Sequence, residues 1–375
     1  MPTKRTPTEE HDSESGRSPD PGTRSGHRSS IVAMLVALAA GLLVLGLSSA
    51  GAASAASPRA SRSAVTLVVY SAQGYNQAEV TAFQRATGIP VSLENNSTGP
   101  LVTQIEASRN NPKWGLLWVD GPTVFAGLDS QHLLVRGFEP KVNWDSLGRQ
   151  SLPKDKSYVP TGVTLTAALV YNSAKVSKPP DTWQALLSPR WKGKVGMNDP
   201  SISGPTYPFV AGMMNYLGSI KAGERYFEKL KANGLLVNQT NGPTLAALSS
   251  GQIDLALVQN SAGIGAKFTD HALKIKYLPP ITLLPSCIGI DAKAPLLERQ
   301  EAERFAEYVL SPVGQKVMKS GDPQGDSLYY PVIKGIKKLP AVPSLNGVKT
   351  QTINPYLWGS RQDAIDTWFT NNIVQ

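Results

Sequence analysis

VTLVVYSAQG (residues 65–74), IPVSLENNSTG (89–99) and GLLWVDGP (115–122) share one plan: an apolar run of strand length that ends in small polar residues. Strands are expected over Val65–Tyr70, Ile89–Leu93 and Gly115–Val119. Between the first two, Gln77–Thr87 carries apolar residues at helical spacing and stops at Gly88, and a second helix is expected from the ENNSTG loop through Ser108. Strand, polar loop, helix, strand is the pattern of a parallel α/β sheet. Ligands of such sheets bind at the carboxyl ends of the strands, which makes Gln73, Ser97, Thr98 and Asp120 ligand-binding candidates.

The plan repeats downstream. Val195–Met197 reads as a strand ending in the loop Asp199–Thr206, with a helix over Phe209–Tyr216 and an amphipathic helix over Glu224–Ala232. Leu235–Val237 ends in Gln239-Thr240-Asn241-Gly242 before a helix over Thr244–Ser249, and Asp254–Val258 ends in Gln259-Asn260-Ser261-Ala262. Between the two α/β units, Gly162–Asn172 (GVTLTAALVYN) reads as one long connecting strand, and Ile281–Ile290 as the return crossing. Two crossings joining two lobes make a hinge over a cleft. The expected division is a first lobe over 65–161, a second over 162–280, and a return to the first lobe with C-terminal helices over 281–375. Those helices are Leu297–Leu310, one beginning at Pro312, and one over about Arg361–Asn372.

The densest signal lies in PPDTWQALLSPRWKGKVGMNDPSISGPTY (179–207). It contains the short helical run WQALL, a basic turn, an apolar run and then the loop Ser201-Ile202-Ser203-Gly204-Pro205-Thr206 at a helix start. Hydroxyls, free N–H groups and a helix N-terminus outline an anion-binding site. Ser and Gly also cap helices without binding anything, so the residues alone leave both readings open.

Composition narrows the class. The chain has 375 residues, 41% of them hydrophobic, enough for two cores. Residues 1–30 are polar and lack periodicity, and read as disordered. The run IVAMLVALAAGLLVLGL (Ile31–Leu47) is followed by an Ala/Ser-rich flank with Ala53-Ser54-Ala55, so 31–56 reads as an export signal. Its length of about 17 residues is also the lower limit for an uncleaved membrane anchor. The only cysteine, Cys287, lies in ITLLPSCIGI, read as buried, and offers no lipid-attachment point at the signal. Residues 1–56 carry five basic and five acidic side chains, so the net charge of +9 belongs to the remainder. A basic protein suits an anionic ligand or surface, whereas the scattered lysines and arginines lack the aromatic interleaving of a nucleic-acid patch. Enzyme chemistry has little support. Downstream of the signal the histidines are His132 and His271, without metal-ligand spacing, and neither G-x-S-x-G nor G-x-x-x-x-G-K-[ST] occurs.

Seven pieces in register resemble the extracellular solute-binding proteins of ABC importers, in the branch that takes up ferric iron, phosphonates and sugar phosphates. They are VVYSAQG, NNSTGPL, LLWVDGPTVFAGL, TGVTLTAALVYN, PDTWQALLSPRWKGKVGMNDPSISGPT, LAALSSGQIDLALVQN and FAEYVLSPVGQKVM. The resemblance implies a two-lobed periplasmic-binding-protein-like fold of type II, α/β, which closes on its ligand by hinge motion. It implies a monomer without cofactor or bound metal, whose partners are a small-molecule ligand and a membrane permease. In iron-binding members an anion sits on a Ser-Gly pair, an Asn after the next strand and amides before a tyrosine pair. Ser203-Gly204, Asn241 and Gln259-Asn260 fill those places here. The tyrosine positions look like Ser261 and Ala262, the first-loop histidine like Gly74, and its acidic partner like Asp120. Ferric iron needs hard anionic donors, so the set suits a phosphorylated or phosphonate solute better. Ser201, Ser203 and Thr206 would hold the anionic head while Asp120 takes an amine or hydroxyl. An iron–anion binding protein without the tyrosines, or a surface sensor feeding a membrane kinase, are the alternatives. Trp118, Tyr207 and the pair Tyr329-Tyr330 are read as packing rather than as ligand contacts.

Overall fold

The computed structural model describes residues 65–375; the expected polar leader (1–30) and export signal (31–56) lie outside the described residues. The first unit runs β1 (Leu67–Ser71), α1 (Asn76–Thr87), β2 (Val91–Asn95), α2 (Thr98–Ala107), β3 (Leu116–Asp120) and α3 (Pro122–Ser130). Each strand begins and ends within two residues of its expected place. The helix α1 stops as its sequence requires: Gly88 takes φ 73° and donates its N–H to Gln84 O at 2.9 Å. The chain continues through α4 (Ser146–Ser151), β4 (Val159–Leu165) and β5 (Ala168–Asn172).

The second unit is β6 (Val195–Asn198), α5 (Thr206–Tyr216), α6 (Ile220–Ala232), β7 (Leu236–Asn238), α7 (Asn241–Ser250), β8 (Leu255–Val258), α8 (Asn260–Thr269) and β9 (Leu273–Lys276). The run WQALL forms only a short 3-10 turn, Gln184–Leu187. It is fixed by Trp183, whose ring lies 5.3 Å from that of Phe209 and whose indole N–H donates to Pro280 O at 3.1 Å. The tail comprises β10 (Ile281–Ile290), α9 (Leu296–Leu310), α10 (Pro312–Gly321), β11 (Thr350–Gln351), α11 (Pro355–Gly359) and α12 (Gln362–Phe369).

Two sheets result, one per lobe. The first has the order β11-β10-β3-β1-β2 with β4 also paired to β10; the second has the order β7-β6-β8-β5-β9. Within each, β1–β3 and β6–β8 are parallel, and the strands of the crossings join them antiparallel, while β10 pairs parallel with β11.

One expected element is corrected. Gly162–Asn172 is two strands, not one: β4 belongs to the first sheet and β5 to the second. The chain turns at Thr166–Ala167, where Ala167 takes φ 49°. That conformation costs on the order of 1 kcal/mol for a residue with a Cβ, and it re-aims the strand from one sheet to the other. The two crossings run side by side, with Thr166 N–H donating to Thr282 O at 3.0 Å and Leu165 opposite Leu283.

Each lobe has its own core. Trp118, Phe83 and Phe305 pack in the first, and Tyr207, Phe209 and Phe227 in the second. Trp358, Ile365, Phe369 and Ile373 also join the second core, so the chain's last helices cover that lobe. Trp118, Tyr207, Tyr329, Tyr330 and Cys287 are all buried. Trp118 donates to Thr161 Oγ1 at 3.0 Å and Tyr207 to Trp358 O at 2.5 Å, which marks both as packing residues.

Glu79 of α1 is fully buried and neither carboxyl oxygen has a hydrogen-bond partner. Burial pushes it from the ordinary 4.5 to about 9. The folded protein therefore keeps a proton that the unfolded chain releases, and stability falls as pH rises from about 4.5 to about 9, by roughly 1.4 kcal/mol per pH unit. Glu79→Gln lacks this dependence. Its stability relative to wild type, from urea unfolding, is expected to improve by about 4 kcal/mol between pH 5 and pH 8; a gap independent of pH would contradict the burial account.

Candidate functional site

The carboxyl ends of β1, β2 and β3 face those of β6, β7 and β8 across a cavity of about 240 Å³. The facing arises from the topology: each parallel strand ends in a polar loop, and the crossings set the two sets of loops opposite one another. Ser97 and Thr98 open α2, Ser203-Gly204-Pro205 precede α5, Thr240-Asn241 open α7 and Gln259 caps α8, and all of them line the cavity. Four helices of 10 or 11 residues thus aim their N-termini at one small space. Such termini carry partial positive charge and unpaired N–H groups. Among the described residues the Gly204 N–H has no hydrogen-bond partner. No lysine or arginine lines the cavity, so the surplus positive charge of the chain is not what the cleft offers a ligand.

The second-lobe wall is locked by Asn198, at the end of β6 and 1% exposed. Its amide donates to Asn241 Oδ1 at 2.8 Å and to Ser203 Oγ at 3.3 Å, and its carbonyl accepts from Thr244 Oγ1 at 2.7 Å. Asn241 Nδ2 in turn donates to Gln259 Oε1 at 3.5 Å. The first-lobe wall centres on Asp120, whose Oδ1 accepts from Gln73 Nε2 at 3.2 Å. Its Oδ2 accepts from Gln259 Nε2 at 3.0 Å, a bond that crosses between lobes. Gln73 is oriented by Tyr75, whose hydroxyl donates to Gln73 Oε1 at 2.7 Å. Burial raises the Asp120 carboxyl above its usual range, and the Gln73 amide, the Ser286 hydroxyl and the Gln259 amide oppose that rise.

Seven expected site residues line the cavity: Ser97, Thr98, Asp120, Ser203, Gly204, Asn241 and Gln259. Gln73 lies behind Asp120 as its hydrogen-bond donor. Three expected residues are not brought to the wall. Ser201 turns back, its hydroxyl donating to Asp199 Oδ1 at 2.7 Å. Thr206 is buried in the first turn of α5. The Asn260 carbonyl accepts Leu165 N–H at 2.8 Å, tying α8 to the first crossing. The cavity also includes Asn95, Asn96, Thr240 and Asp326, none of which the sequence singled out. Asn95 and Asn96 end β2 in the loop already read as polar. Asp326 arrives from the far end of the chain, and no local signal points to it.

The lobes touch on either side of the cavity. Gly99 N–H donates to Ile202 O at 3.2 Å, and a Cβ on Gly99 would run into the Ser201 carbonyl oxygen. A Cβ on Gly204 would meet Thr98 Oγ1, and one on Gly265 of α8 would meet Gln324 O. A larger cavity, about 620 Å³, is bounded by β10 and the segment 352–356 and is walled by Pro122, Tyr158, Pro208 and Tyr356. It has neither the strand ends nor the helix N-termini of the cleft.

Comparison with known proteins agrees with this layout. The family profile described as bacterial extracellular solute-binding protein matches residues 78–350. A periplasmic protein of Salmonella paratyphi A, provisionally named as binding 2-aminoethylphosphonate, is 26% identical over 209 residues, 54% of this chain. The match spans 59% of that relative's own length. Iron-bound HitA of Pseudomonas aeruginosa shares the fold at TM-score 0.70 and 22% identity, over 81% of this chain and 98% of its own. AfuA of Actinobacillus pleuropneumoniae, with fructose-6-phosphate bound, does so at TM-score 0.71 and 18% identity, over 82% and 98%. These structures are two-lobed periplasmic binding proteins of type II, the fold class expected from the sequence.

Asn198→Ala removes the amide that holds Asn241 and Ser203 and takes from Thr244 Oγ1 its shortest acceptor, leaving it the Thr240 and Met197 carbonyls at 3.2 and 3.4 Å. A loss of about 2 kcal/mol in urea unfolding is expected, and a loss below about 0.5 kcal/mol would show that the wall does not depend on Asn198.

Proposed function

The chain belongs to the bacterial extracellular solute-binding proteins, and from that premise we propose that it captures a small solute bearing phosphate or phosphonate and delivers it to an ABC-transporter permease. The observation that carries the reading is the convergence of four helix N-termini, the free Gly204 N–H and the Ser203 and Thr98 side chains on one cavity of about 240 Å³. Oriented N–H groups and helix dipoles hold an oxyanion without a countercharge. The Salmonella relative's name points to the same phosphorus–oxygen chemistry. Gln259 and Asn241 complete the second-lobe half of the site, and Asp120 with Gln73 forms the first-lobe half.

Binding works through closure. A solute that contacts both walls stabilises the closed arrangement by as much as its affinity for that arrangement exceeds its affinity for the open one. Closure is sealed by Gly99 against Ile202 on one side and Gly265 against Gln324 on the other. The closed form is what a permease would receive. Export follows the reading of 31–56 as a signal, and no helix among the described residues is long and apolar enough to cross a membrane. The ferric-iron alternative has less support. At the positions that the resemblance gives to the tyrosine pair stand Ser261 and Ala262, which offer no phenolate, and Ser261 is fully buried.

Calorimetric titration with alkylphosphonates, organophosphates and ferric citrate tests the reading. Binding of at least one phosphorus oxyanion is expected, with compaction in small-angle scattering. Gly99→Ala is expected to weaken that binding tenfold or more, about 1.4 kcal/mol, and to abolish the compaction. Tight binding of iron without any phosphorus compound would overturn the proposal.

A further inference from the structure

The positive charge of the described chain sits in one lobe. Residues 162–280 carry twelve lysines and arginines against six acidic residues, whereas 65–161 carry eight against eight and 281–375 ten against nine. None of the twelve lines the cleft. Half of them stand at the opposite end of the second sheet, where β6, β7, β8 and β9 begin and β5 ends. The register brings these points together: Leu255 is opposite both Val195 and Tyr171, and Leu273 is opposite Asn172. Gly193 N–H donates to Asn233 O at 2.8 Å, which adds the start of β7. Arg190, Lys192 and Lys194 precede β6, Lys231 precedes β7, Lys175 follows β5, and Lys274 is the second residue of β9.

Helix ends account for part of this. The C-termini of α6, α7 and α8 lie here too, and a cation is favourable beside such an end. Lys231 is in the last turn of α6, and Lys175 Nζ lies against Gly251, which caps α7. Arg190, Lys192 and Lys274 belong to no helix end of this kind. Asp254 and Asp270, at the same end, are engaged: Asp254 pairs with Lys194 at 3.5 Å, and Asp270 Oδ1 accepts Ala272 N–H at 2.9 Å. Among the described residues no ion pair holds Lys175, Arg190, Lys192, Lys231 or Lys274. All of these but the half-buried Lys231 are exposed. A second observation is independent of charge. Phe268, in the last turn of α8 beside Lys267, leaves 44% of its surface in water.

Five strands about 4.8 Å apart make this end about 19 Å across. Neighbouring strand ends are closer than the Debye length of about 8 Å at physiological ionic strength, so their charges act together. The cations form a row rather than a ring around one point, and a row fits an extended anionic plane better than a single phosphate. We propose that this end of the second lobe docks on an anionic lipid bilayer, with the cations over the headgroups and Phe268 at the acyl boundary. Headgroups move laterally and collect beneath a row of cations without a groove to order them. The cleft lies at the other end of the same sheet, so a protein held in this way keeps its solute site clear of the bilayer. The proposal is independent of which solute the cleft takes.

The test is co-flotation with phosphatidylcholine vesicles, with and without phosphatidylglycerol as about a third of the lipid. Residues 65–375 hold both sheets and both cores, so the chain from residue 57 is used, free of the apolar run Ile31–Leu47, and circular dichroism checks each variant. Affinity for the anionic vesicles is expected to exceed that for the neutral ones tenfold or more and to fall as salt rises. Combining Lys175→Glu, Lys192→Glu and Lys274→Glu is expected to lower it tenfold or more. The same reversal at Lys141, Lys316 and Lys334, exposed outside the second lobe, changes net charge equally and is expected to lower it less than threefold. Phe268→Ser is expected to weaken binding threefold or more at low and high salt alike. Equal binding to both kinds of vesicle, or equal losses from the two triple variants, would overturn the proposal. Binding to soluble polyglutamate without binding to vesicles would also overturn it, in favour of an acidic protein partner. An unchanged affinity in Phe268→Ser would overturn the placement of that ring.

Discussion

Asp120 is a buried carboxylate held by two neutral amides, one from each lobe, and the rest of the cleft is organised around it. A buried charge without a countercharge is expensive by several kcal/mol, and here it is tolerated at the junction of the two lobes. Gln259 can satisfy Asp120 only when the lobes meet. The bond therefore couples the electrostatics of the first-lobe wall to closure, and it places the amide that opens α8 against the end of β3.

The scaffold makes that coupling possible. The crossings β4 and β10 lie in one sheet and are hydrogen-bonded to each other, so the lobes are joined by a short paired ribbon rather than by a loose linker. The chain passes between the two sheets at Thr166–Ala167 and again between Lys276 and Ile281. The chain's last helices add a third tie. Tyr356 donates to Asp129 and Asp155 of the first lobe at 3.1 and 2.8 Å, while Trp358, two residues on, sits in the second core. Small residues at the points of contact, Gly99, Gly204 and Gly265, let backbone approach backbone where any side chain would hold the lobes apart.

Much of this was legible in the sequence because strand-end loops announce themselves. SAQG, NNSTG, DGP, SISGPT, QTNG and QNSA all fall where strands end, and the residues that line the cavity come mainly from them. The failures have physical causes. Gly162–Asn172 looks continuous because β-branched residues suit either sheet, and nothing local encodes the change of direction at Ala167. Ser201 and Thr206 share the loop of Ser203 but point elsewhere, since side-chain direction within a turn depends on hydrogen bonds such as that from Ser201 to Asp199. Asn260 is spent on the Leu165 backbone. Asp326 lies 252 residues from the Gly74 amide it meets, a separation that a reading of local pattern does not bridge.

The most direct test of the account is a crystal structure of the protein with a bound alkylphosphonate. The account predicts phosphonate oxygens within hydrogen-bond distance of Gly204 N, Ser203 Oγ and Thr98 Oγ1, with atoms of both lobes around one ligand. A phosphonate bound to one lobe alone, or seated in the larger cavity beside Tyr158 and Tyr356, would contradict it.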